Sequence, residues 1–432
     1  MPELRPLRGV RYSAKAGSLA DLVAPPYDVI SPEQHAALCQ RSPHNVVRLI
    51  LGERSADGDA PPADWHRGAA TLLAAWQRDG LLVADAEPAF YLYTETFRRE
   101  GTLRRRKLLL GALRLQPYGQ GLVFPHEKTN PGPKADRLRL MKACRANLSP
   151  ILAFFPDGDG AVDRLLQSLL ALEPTASFTD DVGIGHELRR VADPGRQAAI
   201  AHALAPLPLY IADGHHRYET CLTYRDEERA ALPHAGGGEL PCDFTLAACM
   251  SGADPGLVIR PTHRVVSWEG ARQTGDILDE ARKWFHIERL SADGPEDALG
   301  ALASGTRGVA FVIYGGKAAG YALLELSDQS LLSDSPYPTG SPLRQLAAAV
   351  FTHAFLMKLL DAQGVTVVYT PDASLAVSRT DERGQTLACL LPGVRPAQLM
   401  AIVNAGGKMP PKSTYFWPKP MTGMLLGSLE TF

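Results

Sequence analysis

A series of short apolar or alternating runs constrains this chain most. They are "PAFYLYTETF" (88–97), "KLLLGALRL" (107–115), "SPILAFF" (149–155), "LPLYIA" (207–212), "CDFTLAACM" (242–250), "GVAFVIYG" (308–315), "GYALLEL" (320–326) and "VTVVYT" (365–370). Their length and their β-branched and aromatic content predict strands. Helical spacing lies among them. "SPEQHAALCQ" opens with Ser31 as N-cap and Pro32 at the first helical position. "ADWHRGAATLLAAWQRDG" (63–80) ends at Gly80, and "SPLRQLAAAVFTHAFLMKLLDAQG" (341–364) is predicted to be the best-buried helix. The interleaving keeps no regular βαβ beat. The fold class expected is therefore α/β of the mixed α+β kind, a mixed β-sheet core with packed helices, rather than a barrel or a doubly wound sheet.

At 432 residues the chain exceeds one ordinary core. A division is expected into residues 1–268, an N-terminal α/β region, and residues 269–432, a C-terminal α/β lobe. Loop-like stretches at 232–241 and 327–342 interrupt the pattern. The basic run "FRREGTLRRRK" (97–107) reads as a hairpin with a solvated tip. With a net charge of −2, no nucleic-acid partner is expected. Six scattered cysteines form no C-x-x-C pair, which argues against zinc ribbons and disulfide frameworks. No apolar signal core or membrane-length segment is evident, so a cytoplasmic chain with no membrane partner is expected.

The stretch "YIADGHHRYET" (210–220) carries the clearest chemistry. A buried strand ends at Ile211, Asp213 and Gly214 turn the chain, and Tyr218, Cys221 and Leu222 follow at helical spacing. A strand–glycine–helix junction directs backbone N–H groups and the positive end of the helix dipole at one spot, a ready anion site. His215, His216 and Arg217 add donors, and arginine holds phosphate bidentately. Asp213 serves as N-cap, orients a histidine or binds Mg²⁺; a capping aspartate followed by solvated residues would look similar. Zinc on His215 and His216 is disfavoured, because adjacent helical side chains diverge.

Other constellations are weaker. "VFPHEKTNPGPKADRLRL" (123–140) gathers His126, Glu127, Lys128, Lys134, Asp136 and Arg137, with Glu127 a candidate general base. A salt-bridged surface loop would look the same. "GGKMPPKSTYFWPKP" (406–420) has Pro411 where a phosphate loop needs its second glycine, so a P-loop is rejected. Lys412, Ser413, Thr414 and Lys419 remain separate phosphate or carboxylate donors, or the stretch is a rigid packed segment. "RPTHRVV" (260–266) offers His263 and Arg264, and "APPYDVISP" (24–32) reads as a rigid turn.

The motifs "LVAPPYDVISPEQ", "NVVRLILG", "PHEKTNPGPKADRL", "NLSPI", "YIADGHHRYET", "RPTHRVV" and "MPPKSTYFWPKP" occur in an order that resembles the prokaryotic family known as domain of unknown function 1015. The D-G-H-H-R loop more distantly resembles the ParB/sulfiredoxin-like superfamily. Its members bind nucleotide phosphates at a strand–loop–helix junction, and some phosphorylate free serine. For Asp213, Gly214, His215, His216 and Arg217 this resemblance implies a phosphate cradle, and Glu127 matches a catalytic glutamate in role alone.

The function expected is a nucleotide-dependent phosphotransferase acting on a small hydroxyl-bearing metabolite, with ATP or ADP and Mg²⁺. Glu127 or Asp213 takes the hydroxyl proton, His216 assists, and Asp213 is the candidate metal ligand. His126, Lys134, Arg137, His263, Arg264, Lys412, Ser413, Thr414 and Lys419 are the further candidate contacts. A nucleotide-sensing binding protein and a phosphate-ester hydrolase using His215 or His216 are the alternatives. The partners expected are a nucleotide and a metabolite, with a homodimer as the assembly considered.

Overall fold

The computed structural model describes residues 3–53, 64–129, 131–232, 238–305, 308–360, 364–382 and 384–431. The chain divides into two compact units. One comprises Met1–Pro125, Thr129–Val258 and Pro418–Phe432; the other comprises His126–Lys128 and Ile259–Trp417.

The first unit is built on a nine-stranded sheet. Its strands in chain order are β1 (Leu4–Arg5), β2 (Phe90–Arg99), β3 (Thr102–Arg114), β4 (Val123–Phe124), β5 (Ile151–Phe155), β6 (Ala176–Thr179), β7 (Gly185–Val191), β8 (Leu209–Asp213) and β9 (Phe244–Ser251). The spatial order is β4-β8-β5-β9-β3-β2-β7-β6, with β1 paired to the far end of β3. The pairs β4·β8 and β5·β9 are parallel and the remaining neighbours antiparallel, so the sheet is mixed. Every residue of β9 is buried, as a central strand covered on both faces requires.

The basic run is a hairpin, as expected. Arg99 pairs with Thr102, and Glu100 and Gly101 between them both have positive φ (50° and 75°), the backbone a two-residue hairpin turn needs. The longer helices of this unit are α1 (Pro32–Arg41), α2 (Trp65–Arg78), α3 (Pro131–Cys144), α4 (Ala161–Ser168), α5 (Pro194–Leu204) and α6 (His215–Ala231). Ser31 caps α1 through a reciprocal capping box with Gln34. One core joins Leu92, Leu109, Phe155, Ile200, Ile211, Tyr218 and Tyr224. A second gathers Val46, Leu73, Trp76, Leu82 and Leu148 beside a small sheet formed by 9–12, 82–84, 146–147 and 426–428.

The second unit contains a six-stranded antiparallel sheet of residues 263–267, 285–290, 310–314, 321–326, 366–370 and 386–390. The single helix expected over 341–364 is corrected. It is a short 3₁₀ turn (Pro342–Gln345), an α-helix (Ala347–Phe351) and a wide π-type stretch (Thr352–Leu359), and residues 361–363 lie outside the described residues. Leu360 donates to the carbonyl of Phe355 at 2.9 Å, the five-residue spacing of such a widened turn. Burial holds as expected: Ala347 to Phe351, Ala354 and Phe355 are all inside. Among the described residues no helix is long and apolar enough to cross a membrane.

Gly111 marks the tightest point beside β1. A Cβ there would lie 2.9 Å from the Arg5 carbonyl oxygen and 3.0 Å from the Phe90 ring. Gly111→Ala is therefore expected to lower stability by about 1–3 kcal/mol through overpacking. Urea unfolding checks this, and an unchanged midpoint would contradict the packing described.

Candidate functional site

Strand β8 delivers a buried Leu209–Ala212 to the junction, flanked by β4 on one side and β5 on the other. Its pairing with β5 shifts register between Ile211 and Asp213, an irregularity that re-aims the side chain at the strand's end. Gly214 follows with φ of +92° and caps α6, and Tyr218 N–H donates to its carbonyl at 2.9 Å. Two features favour glycine there. The backbone is left-handed, and a Cβ would stand 3.1 Å from the Arg217 guanidinium, which folds back across the turn.

Asp213 does not cap the helix. Its Oδ2 accepts from Arg217 Nη2 at 2.6 Å, and its Oδ1 accepts from Lys419 Nζ at 2.9 Å. Lys419 is shared, donating also to Asp28 Oδ2 at 2.5 Å. Arg217 Nη1 donates to the Pro150 carbonyl, and the rest of the fork has no partner among the described residues. Burial opposes the charge of Asp213, yet Lys419 and Arg217 outweigh it and hold the carboxyl down at about 2. Burial likewise works against the Lys419 ammonium, and the carboxylates of Asp213 and Asp28 overcome it, raising the lysine above its ordinary range. The junction is thus a four-membered ionic frame of two carboxylates and two cations.

Beside the frame lies a small cleft of about 50 Å³, with Arg217 on its wall. Ile50, Leu140, Met141 and Leu148 make it mostly apolar, and Asn147, Ser149 and Thr220 add neutral polar groups. Arg137 and Tyr27 also line it, the guanidinium lying 4.4 Å from the ring centre. Arg137 is committed to Asp136 and to the Ile50 carbonyl (2.6 Å). The motifs around Asp28, Arg137, Ser149, Arg217 and Lys419, far apart in sequence, meet here.

The other candidates are placed as follows. His215 is buried and His216 half-buried in the first turn of α6. Lys134 pairs with Glu219 at 2.8 Å. His126 and Glu127 belong to the second unit, where His126 Nε2 lies 2.8 Å from Thr414 Oγ1 and its carbonyl accepts from Met409. In the same unit Ser413 donates to the Pro410 carbonyl, and Lys412 adopts a left-handed backbone (φ 54°). His263 Nδ1 accepts from the Leu391 amide at 3.1 Å, and burial lowers its pKa to about 4. Arg264 is buried at 2% exposure, donates to the Thr262 carbonyl and lies against the Tyr369 ring. Among the described residues there is no group of three or more side chains able to hold a metal. Asp28, read from sequence as part of a turn, is the residue that sequence reasoning missed.

A family profile described as "Protein of unknown function (DUF1015)" matches residues 4–362. The chain belongs to the DUF1015 family. The comparison with curated proteins returned no match. Solved structures with a distant likeness include a conserved hypothetical protein from Pyrococcus furiosus, with 13% identity, 68% of this chain and 86% of that one covered, and a TM-score of 0.32. A free serine kinase in complex with AMP is 11% identical over 68% of this chain and 83% of its own, with a TM-score of 0.32. SbnI with a C-terminal truncation, from Staphylococcus aureus, is 10% identical over 72% and 85%, with a TM-score of 0.34. At such scores the likeness transfers no residue role to the DUF1015 chain.

The ionic frame has a pH signature. Because the folded carboxyl of Asp213 lies at about 2 against an ordinary 3.8, its contribution is present above pH 4 and is lost as pH falls towards 2. Between pH 5 and 2 the native DUF1015 protein should lose on the order of 2 kcal/mol more stability than Asp213→Asn. Urea unfolding across that range measures the difference; parallel profiles would contradict the pairing.

Proposed function

We propose that the chain is a nucleotide-dependent phosphotransferase acting on a small hydroxyl-bearing metabolite, with ATP or ADP as donor. The observation that carries this reading is Arg217, which lines a cleft and folds back over Gly214 at the amino end of a 17-residue helix, with part of its fork unpartnered among the described residues. A helix N-terminus, a guanidinium fork and an ammonium at one turn suit an oxyanion of several charges. Phosphoryl transfer asks mainly for such positioning and charge neutralisation.

Within this reading Asp213 is a framework residue. A carboxylate held near pKa 2 by two cations is a weak base, so it aims Lys419 and Arg217 and does not take the hydroxyl proton. That leaves Glu127 as the base to test. Both Asp213 oxygens are committed to cations, so the donor set does not suit a resident metal. Mg²⁺ enters the proposal as part of the nucleotide, which is how phosphate-bound Mg²⁺ commonly arrives. Free serine is the first acceptor to test, because of the sequence resemblance at the D-G-H-H-R loop. The commitment of Asp213 also favours a second reading, a nucleotide-binding regulator that dispenses with a base.

The test is to incubate the full chain with Mg²⁺, nucleoside di- and triphosphates and pooled hydroxy metabolites, and to detect phosphorylated species by mass spectrometry. Arg217→Ala should weaken nucleotide binding by about 10–100-fold, the loss expected for a charge-assisted contact. Glu127→Gln should abolish product while leaving affinity unchanged. Nucleotide binding without product supports the regulator. Arg217→Ala with wild-type affinity would overturn both readings.

A further inference from the structure

Lys419 sits on a strap, residues 418–422, that belongs to no strand and so draws its backbone partners from elsewhere. On one side of the lysine, the Pro418 carbonyl accepts from Arg106 Nη2. On the other, the Met421 amide reaches Tyr93 Oη at 3.4 Å, and Thr422 exchanges backbone hydrogen bonds with Ala24 at 2.8 and 3.1 Å. The lysine is therefore held by its backbone on both flanks before its ammonium meets Asp28 and Asp213.

The groups behind those contacts are unusual for a core. Arg106 and Glu95 are each 0% exposed, and Arg106 Nε donates to Glu95 Oε2 at 2.7 Å. Arg106 Nη1 is buried with no partner among the described residues. Gly256 permits this burial, because a Cβ there would stand 2.6 Å from the Arg106 Cα. A buried ion pair is weak evidence for stability, since well-packed apolar residues often do as well, and an unsatisfied donor adds further cost. Tyr93, two residues before Glu95 on the same strand, takes its place in a second buried chain. Its hydroxyl lies 2.7 Å from His186 Nδ1, and His186 Nε2 lies 3.3 Å from Asp180 Oδ2. The Tyr93 hydroxyl also lies 3.5 Å from Glu95 Oε1, so the two chains meet each other as well as the strap.

We infer that Arg106, anchored by Glu95, and Tyr93, anchored by His186, are positioning residues that set Lys419 into the candidate site. The role assigned to Lys419 rests on the proposed phosphate-binding reading; the fastening of the strap does not.

The experiment separates the two. A Glu95→Leu/Arg106→Met double variant replaces the pair with apolar groups, and Tyr93→Phe removes a single oxygen should the double variant fail to fold. Amide hydrogen exchange over 418–422 and acetylation of Lys419 by a soluble reagent are read without nucleotide, and ADP affinity is read separately. In folded variants, exchange and Lys419 acetylation should accelerate by about tenfold or more, as local opening of a released segment predicts. ADP affinity should fall with them while thermal stability stays near wild type. Unchanged exchange and acetylation in both variants would overturn the inference, whatever the nucleotide data say. Accelerated exchange in a protein whose wild type binds no ADP would uphold the fastening and sink the phosphate reading alone.

Discussion

One ammonium group shared between two carboxylates organises this site. Lys419 joins Asp28 and Asp213, and Arg217 completes the frame from the first turn of α6. In a partly buried setting such charges are tolerable only together, since removing one leaves another desolvated and unpaired. The left-handed Gly214 follows from the same constraint. A Cβ at this left-handed position would crowd, at 3.1 Å, the guanidinium that folds back over the turn to reach Asp213.

The frame also decides which chemistry suits each group. A carboxylate pinned between two cations is a fixed negative charge, useful for aiming donors and poor at accepting protons. An arginine that spends part of its fork on Asp213 and the Pro150 carbonyl is held rigid, and the rest of the fork is unpartnered among the described residues. Preorganised donors of this kind need little rearrangement when an oxyanion arrives. The cleft beside them supplies apolar walls from residues 50, 140, 141 and 148.

Much of the sheet was legible in the sequence, for a physical reason. Strands such as Phe90–Arg99, Ile151–Phe155 and Phe244–Ser251 are buried along most of their length, so they read as apolar runs. Gly185–Val191 was not legible. Its "GHELRRV" carries Glu187, Arg189 and Arg190, and it becomes a strand through pairing with β2 and β6. Phe285–Leu290 hides likewise, as a half-exposed edge of the second sheet. The helix at 341–364 kept its burial and lost its regularity, because apolar spacing reports a face and not the hydrogen-bond period. At the site, the junction around Gly214 could be read locally, since a glycine between an apolar run and helical spacing is a local signal. Asp28 could not, because its partner lies 391 residues away. The ionic partner of Arg217, four residues upstream on the same turn, was within reach of an i,i+4 argument.

The central claim is that this turn recognises oxyanions and not merely a planar ring. Calorimetric titration of the full chain with adenosine, AMP and ADP tests it directly. Affinity should rise with each phosphate, ADP binding at least about tenfold more tightly than adenosine, with the gap narrowing as salt is added. Equal affinity for adenosine and ADP, or binding of neither, would contradict it.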